Sequence, residues 1–215
     1  MSADLIFYSN PMSRGRIVRW MLEEVGQPYE IRMLGYGSPE PEGMKSPEFL
    51  KLNPMGKVPT LVHKGVVVTE GAAICAYLAD AFPEAGLAPV PGSAERATYY
   101  RWLFFGAGPV EAAVTDKSLG VQVAPEKKAM VGYGDFDAVL GALESAVGGR
   151  QYLAGDSFSA ADVYTGSQIG WGMGFGSIPK TPALEAYWAG LSARPAYKRA
   201  NDLDNAAMPE GKGFG

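Results

Sequence analysis

The stretch Asn53-Pro54-Met55-Gly56-Lys57-Val58-Pro59-Thr60-Leu61, followed by Thr69-Glu70-Gly71-Ala72-Ala73-Ile74, decides how this chain reads. Val58 to Val62 and Val66 to Val68 are β-branched runs joined by His63-Lys64-Gly65, which predicts a hairpin. Thr69 is placed to cap a helix over Glu70 to Phe82, and Pro83 ends it, because proline lacks the N–H a helix needs. Upstream, Leu5-Ile6-Phe7-Tyr8 is a short apolar run closed by the turn chemistry of Ser9-Asn10-Pro11. Ile17, Met21 and Val25 then recur with Val18 and Leu22 as one helical stripe, opened by Ser13 as N-cap and stopped by Gly26. Tyr29, Ile31 and Met33 alternate with polar residues, and a Gly- and Pro-rich loop runs from Gly35 to Pro47. Residues 1–82 therefore read β-α-β, then β-β-α.

Residues 83–95 carry three prolines and two glycines and read as a linker. Residues 96–215 read as all-helical. Tyr99 to Val114 is apolar nearly all round, the pattern of a buried helix. Ala129 to Val147 is periodic through Val131, Phe136, Val139, Leu140, Leu143 and Val147. Ser159-Ala160-Ala161-Asp162 has capping-box spacing, with Phe158 and Val163 as its hydrophobic staple. Leu184 to Leu191 and Ala196 to Asn201 complete the helices, and the closing MPEGKGFG reads as a flexible tail.

Composition narrows the chemistry. The 215 residues are 47% hydrophobic and 20% charged, ordinary for a folded domain or pair of domains. Nineteen basic against 23 acidic residues leave a net charge of −4, which argues against a nucleic-acid partner. Cys75 and His63 are the single members of their types, so no internal disulfide forms and no Cys/His metal site is expected. No secretory pattern opens the chain and no apolar run spans a membrane, so the expectation is a cytoplasmic protein.

The motif N-P-x-x-x-V-P-x-L, a hairpin and then E-G-x-A-I resembles the cytosolic glutathione transferases, with Gly71 where that family usually has serine. The resemblance extends to Tyr8–Arg14, to Leu22-Glu23-Glu24-Val25-Gly26-Gln27-Pro28-Tyr29 and to the Ser159–Asp162 box. It implies a thioredoxin-like N-terminal domain, an all-helical C-terminal domain, glutathione as co-substrate and a homodimer. Binding roles follow the peptide's own chemistry. The open N–H groups and positive dipole end of the helix after Thr69 suit the γ-glutamyl carboxylate, and Glu70 suits the ammonium. The resemblance implies a cis Val58–Pro59 bond, with Val58 exchanging backbone hydrogen bonds with the cysteinyl part as an added strand. Lys57 and Lys45 are candidates for the glycyl carboxylate.

Catalysis requires glutathione's thiol to become a thiolate near neutral pH. A hydroxyl donating to sulfur beside a helix N-terminus favours the charged form. Three hydroxyls compete for that role: Ser13 ranks first, Ser9 second and Tyr8 third. Ser13 falls where a fungal and bacterial group reads P-R-S-R, whereas counting back from Arg14 selects Ser9. Cys75 reads as a packed, inert thiol, and His63 as an exposed hairpin residue. Tyr99, Trp102, Phe105, Trp171, Met173 and Phe175 are available to line an electrophile pocket. Gly170, Gly172, Gly174 and Gly176 read either as close packing or as a mobile wall. The function implied is conjugation of glutathione to small hydrophobic electrophiles. Its rivals are a glutathione-dependent isomerase, peroxidase or etherase, or a non-catalytic binding protein.

Overall fold

The computed structural model describes residues 4–208, so the tail from residue 209 onward lies outside the described residues. Four strands, β1 (Leu5–Ser9), β2 (Glu30–Met33), β3 (Thr60–His63) and β4 (Val66–Thr69), form one sheet in the order β2-β1-β3-β4. β1 runs parallel to β2 and antiparallel to β3, which pairs antiparallel with β4. Helices α1 (Gly15–Val25), α2 (Pro47–Leu52) and α3 (Gly71–Ala81) complete the β-α-β, β-β-α order read from the sequence. Only α2 went unread. Six residues are too few to show periodicity, although the Ser46-Pro47 start was a legible signal: Ser46 Oγ accepts from Phe49 N at 3.2 Å.

The pleat of β1 sorts its side chains. Period two sends Leu5, Phe7 and Ser9 to one face and Ile6 and Tyr8 to the other. Tyr8 packs with Leu34, Met44, Phe49 and Val58, its ring 5.5 Å from that of Phe49 on α2. The apolar stripe of α1 is buried as its spacing required, and Gly26 closes the helix at φ 72, a left-handed cap that glycine adopts without a Cβ clash.

The remaining helices are α4 (Ala94–Phe105), α5 (Glu111–Ser118), α6 (Phe136–Val147), α7 (Ala160–Phe175), α8 (Pro182–Ser192) and α9 (Pro195–Ala206). Two compact units result. One runs to Ala85 and takes in the chain again from Pro195; the other is Gly86–Arg194. In this grouping α9 falls in the unit of the sheet, because it packs along α1, whereas the sequence placed residues 96–215 together. Trp20 meets Tyr197 edge-on at 5.0 Å, and Arg19 Nε bonds Asp204 Oδ1 at 3.1 Å. Helical periodicity does not say which helix a stripe will meet. The linker is also less loose than its composition suggested: Leu87 is buried and its carbonyl accepts from Ala160 N at 2.8 Å.

Within the second unit, the helix expected over Tyr99 to Val114 is interrupted by a π-helical segment, Gly106–Val110, that contains Pro109. α6 starts later than its periodicity suggested, at Phe136, where Asp135 caps it by accepting from Ala138 N at 2.9 Å. The Ser159–Asp162 box forms as spaced. The Asp162 carboxylate, fully buried, accepts from Ser159 N (2.9 Å), Ser159 Oγ (3.0 Å), Leu153 N (2.8 Å) and Tyr187 OH (2.8 Å).

The glycines of α7 serve close packing. A Cβ on Gly170 would strike the Trp188 ring, one on Gly166 would strike Leu191, and one on Gly172 would come within 2.5 Å of Ile178; Gly174 faces open space. Gly170→Ala should therefore destabilise the protein by about 1–3 kcal/mol through overpacking. Gly174→Ala should be neutral or stabilising by up to about 1 kcal/mol, since alanine is the better helix former. Urea denaturation of the two variants checks this, and equal losses would contradict the packing role. No helix among the described residues is long and apolar enough to cross a membrane.

Candidate active site

The turn between β1 and α1 is built by Asn10. Its Oδ1 accepts from Met12 N at 2.9 Å, its carbonyl accepts from Ser13 N (3.1 Å) and Ser13 Oγ (2.7 Å), and its Nδ2 donates to Leu34 O at 2.8 Å. Asx turns of this kind let a short polar side chain replace backbone partners. Ser13 Oγ also accepts from Gly15 N at 3.0 Å. The helix begins at Gly15 with Arg14 in helical conformation at the cap, so Ser13 stands one residue ahead of the cap it was expected to be. It still satisfies one of the orphan N–H groups of the first turn.

The three candidate hydroxyls are separated. Ser13 is half-buried and reachable. Ser9 is fully buried, its Oγ has no hydrogen-bond partner among the described residues, and a Cβ on Gly15 would run into that oxygen. Gly15 thus lets the first turn of α1 lie directly over Ser9. Tyr8 is on the opposite face of the sheet, where its hydroxyl accepts from Arg32 at 3.3 Å and its ring packs in the α2 core. One residue's shift along β1 is one face of the sheet, and that places Tyr8 away from the turn.

The loop ahead of β3 is organised by Asn53. Its Nδ2 donates to Lys57 O (2.9 Å) and Thr60 Oγ1 (3.2 Å), while its Oδ1 accepts from Met55 N (3.0 Å). The Val58–Pro59 bond is cis. Among the described residues, neither the N–H nor the C=O of Val58 makes a hydrogen bond, so both remain available to an extended peptide. Lys45 and Lys57 are both exposed on this loop system. Lys45 Nζ donates to Met55 O at 2.9 Å, passing Gly56, whose φ of 56 and lack of Cβ make room for it.

Glu70 occupies the N-cap of α3, one residue after the expected Thr69, which ends β4. Its backbone is left-handed at φ 66 and ψ 117, a conformation that costs a non-glycine residue about 1–3 kcal/mol. Its exposed carboxylate does not cap its own helix. The N–H groups of Gly71, Ala72 and Ala73 have no partner among the described residues. An acceptor-hungry helix start beside a carboxylate suits a group that carries both a carboxylate and an ammonium.

Two residues are set aside. Cys75 is buried on α3, and burial pushes its thiol far up, so it forms no thiolate. His63 stands at the end of β3 in the hairpin as read, but it is buried, which corrects its expected exposure. Its Nδ1 lies 2.9 Å from Tyr77 OH, its ring stacks near Phe82, and burial holds its pKa below the usual histidine range. Of the proposed apolar pocket residues, Tyr99, Trp102 and Met173 are buried in the second unit's core, and Phe175 is 65% exposed at the end of α7. The sequence reading missed Asn10 and Asn53 as site builders, although each stands in an Asn-Pro pair, a signal of turn chemistry.

A four-stranded β-α-β, β-β-α unit with a cis X–Pro bond before β3, followed by a helical unit, defines a two-unit thioredoxin-like protein. Comparison with known proteins narrows the class. The family model described as the glutathione S-transferase N-terminal domain matches residues 12–81, and that of its C-terminal domain matches residues 108–195. Glutathione S-transferase 1 of Zea mays is 30% identical over 196 residues, covering 85% of this chain and 88% of its own. A glutathione transferase from Methylococcus capsulatus superposes with a TM-score of 0.76 at 29% identity, covering 94% of this chain and 99% of that one. A sphingomonad glutathione S-transferase complexed with glutathione gives 0.74 at 30% identity, covering 93% and 98%. The chain belongs to the glutathione S-transferase family.

Proposed function

We propose that this chain conjugates glutathione to small hydrophobic electrophiles, with Ser13 donating the hydrogen bond that stabilises the thiolate. The observation that carries the reading is Glu70, held left-handed with its carboxylate exposed beside the open amides of α3. The γ-glutamyl carboxylate meets those amides and its ammonium meets Glu70. Val58 takes the cysteinyl backbone as an added strand, running past Pro59, and Lys45 or Lys57 meets the glycyl carboxylate. The thiol then falls toward the β1–α1 turn, where Ser13 exchanges its bond to the Asn10 carbonyl for one to sulfur. Proximity of thiolate and electrophile supplies much of the rate. Homodimerisation and a cytoplasmic location are part of this reading and rest on the family alone.

Calorimetric titration with glutathione tests it. Glu70→Gln should weaken binding by about 1–3 kcal/mol, the size of a charged hydrogen bond. Gly71→Ser should tighten it if the missing hydroxyl contact is restored. Unchanged affinity in a folded Glu70→Gln protein removes Glu70 from the site. One observation favours a non-catalytic binding protein: the Ser13 proton is already donated to Asn10 O at 2.7 Å. Glutathione that binds without a thiolate absorbance would select that reading.

A further inference from the structure

Arg16 is almost fully buried on α1, and its guanidinium donates to Pro11, Asn201 and Asn205. Nε donates to the Pro11 carbonyl at 2.6 Å, Nη1 to Asn201 Oδ1 at 2.9 Å and Nη2 to Asn205 Oδ1 at 2.9 Å. Pro11 is the second residue of the turn that carries Ser13. Asn201 and Asn205 are four residues apart, on one face of α9. Beside them, buried Asp204 holds Arg19 and lends Arg16 its charge. Burying an arginine is expensive unless its donors are met, and here two asparagines far along the chain meet them.

We infer that α9 positions the thiol-activating turn through Arg16: Asn201 and Asn205 fix the guanidinium, and the guanidinium fixes the Pro11 carbonyl. Asn10 also ties the turn to the residue after β2, its Nδ2 donating to Leu34 O. Without the Arg16 bond, Pro11 can swing about Asn10 and carry the Ser13 hydroxyl off the line to sulfur. Hydrogen bonding to a thiolate falls away steeply with misalignment, so a small displacement raises the thiol's pKa. The charge-assisted bond also polarises the Pro11–Met12 peptide, making the Met12 N–H a stronger donor at the same turn. Arg16 is a positioning residue: it touches the turn, not the thiol.

This inference rests on the proposed thiolate chemistry, and the test separates the two. The measurement is ultraviolet thiolate absorbance against pH for glutathione bound to the full chain. Arg16→Met is the direct variant but removes the buried cation itself, and with it a positive charge that faces buried Asp204. The working variant is therefore Asn201→Ala combined with Asn205→Ala, which frees the guanidinium from the α9 side alone. Trp20→Phe serves as the control, thinning the α1–α9 packing at Tyr197 while leaving the Arg16 bonds in place. The double variant should raise the bound thiol's pKa by about half a unit or more, with Trp20→Phe titrating as the parent. Glutathione's KM should move less than kcat. A double variant that titrates as the parent overturns the inference and leaves the proposed function intact. Equal shifts in the double variant and Trp20→Phe also overturn it, since loosened packing would then explain both. A parent protein with no bound thiolate at any pH brings down the proposed function, and this inference with it.

Discussion

Ser13→Ala should raise the apparent pKa of bound glutathione by about one unit or more. A hydrogen bond to a charged group contributes about 1.5–3 kcal/mol, and each pKa unit corresponds to about 1.4 kcal/mol. Turnover near neutral pH should fall roughly tenfold or more with it, because only the thiolate attacks. Glutathione affinity at high pH should change little, since the proposed binding contacts lie elsewhere, at the α3 amides, Glu70 and Val58. Ser9→Ala should leave the titration in place: its hydroxyl is fully buried beneath Gly15 and has no hydrogen-bond partner among the described residues. Removing an unsatisfied buried hydroxyl should even be neutral or mildly stabilising. Tyr8→Phe should also leave it in place, because that hydroxyl accepts from Arg32 on the other face of the sheet. A shift in Ser9→Ala without one in Ser13→Ala would show that the register counted back from Arg14 is the working one.

Asp162→Ala should be the most damaging single change to the second unit. Four donors converge on this carboxylate, and one of them, Tyr187 OH, comes from α8. Deleting it strands those donors in the interior, an effect of about 3–5 kcal/mol when one partner of a buried charged network is removed. Asp162→Asn should recover only part of the loss, since its amide N–H₂ would face donors rather than acceptors. Chemical denaturation followed by far-UV circular dichroism measures both. A loss under about 1 kcal/mol in Asp162→Ala would mean the box is redundant with the packing around Phe158 and Val163. The two changes differ in kind: Asp162→Ala acts on folding, whereas Ser13→Ala loses only a cap bond of about 1 kcal/mol and acts chiefly on the thiol.

Much of this protein was legible in the order of its residues. The hairpin over Val58 to Val68, the stripe of α1 with its Gly26 stop and the Ser159–Asp162 box each rest on neighbours within one or two turns. Local patterns of that range are complete in the sequence. The cap positions slipped by one residue at Ser13 and Thr69, because the residue after each adopts the cap conformation, and propensity does not report backbone angles. The break of the Tyr99–Val114 helix followed from Pro109, a residue in plain view whose effect depends on how the neighbouring turns absorb the lost N–H.

By itself the sequence determined the sheet's strand content and the helical second half, and it offered a short list of candidates for holding glutathione. It could not separate Ser9 from Ser13, because both stand near one turn and only the approach of Gly15 to Ser9 decides which hydroxyl is reachable. It read His63 as exposed, since a hairpin's end carries no mark of the Tyr77 and Phe82 that enclose it. It grouped α9 with the other helices, although Arg16, Arg19 and Trp20 draw α9 onto α1 from some 180 residues away along the chain. Pairing across that separation is set by shape and charge in three dimensions. Hydrophobic periodicity records which face of a helix is buried and carries no record of the partner that buries it.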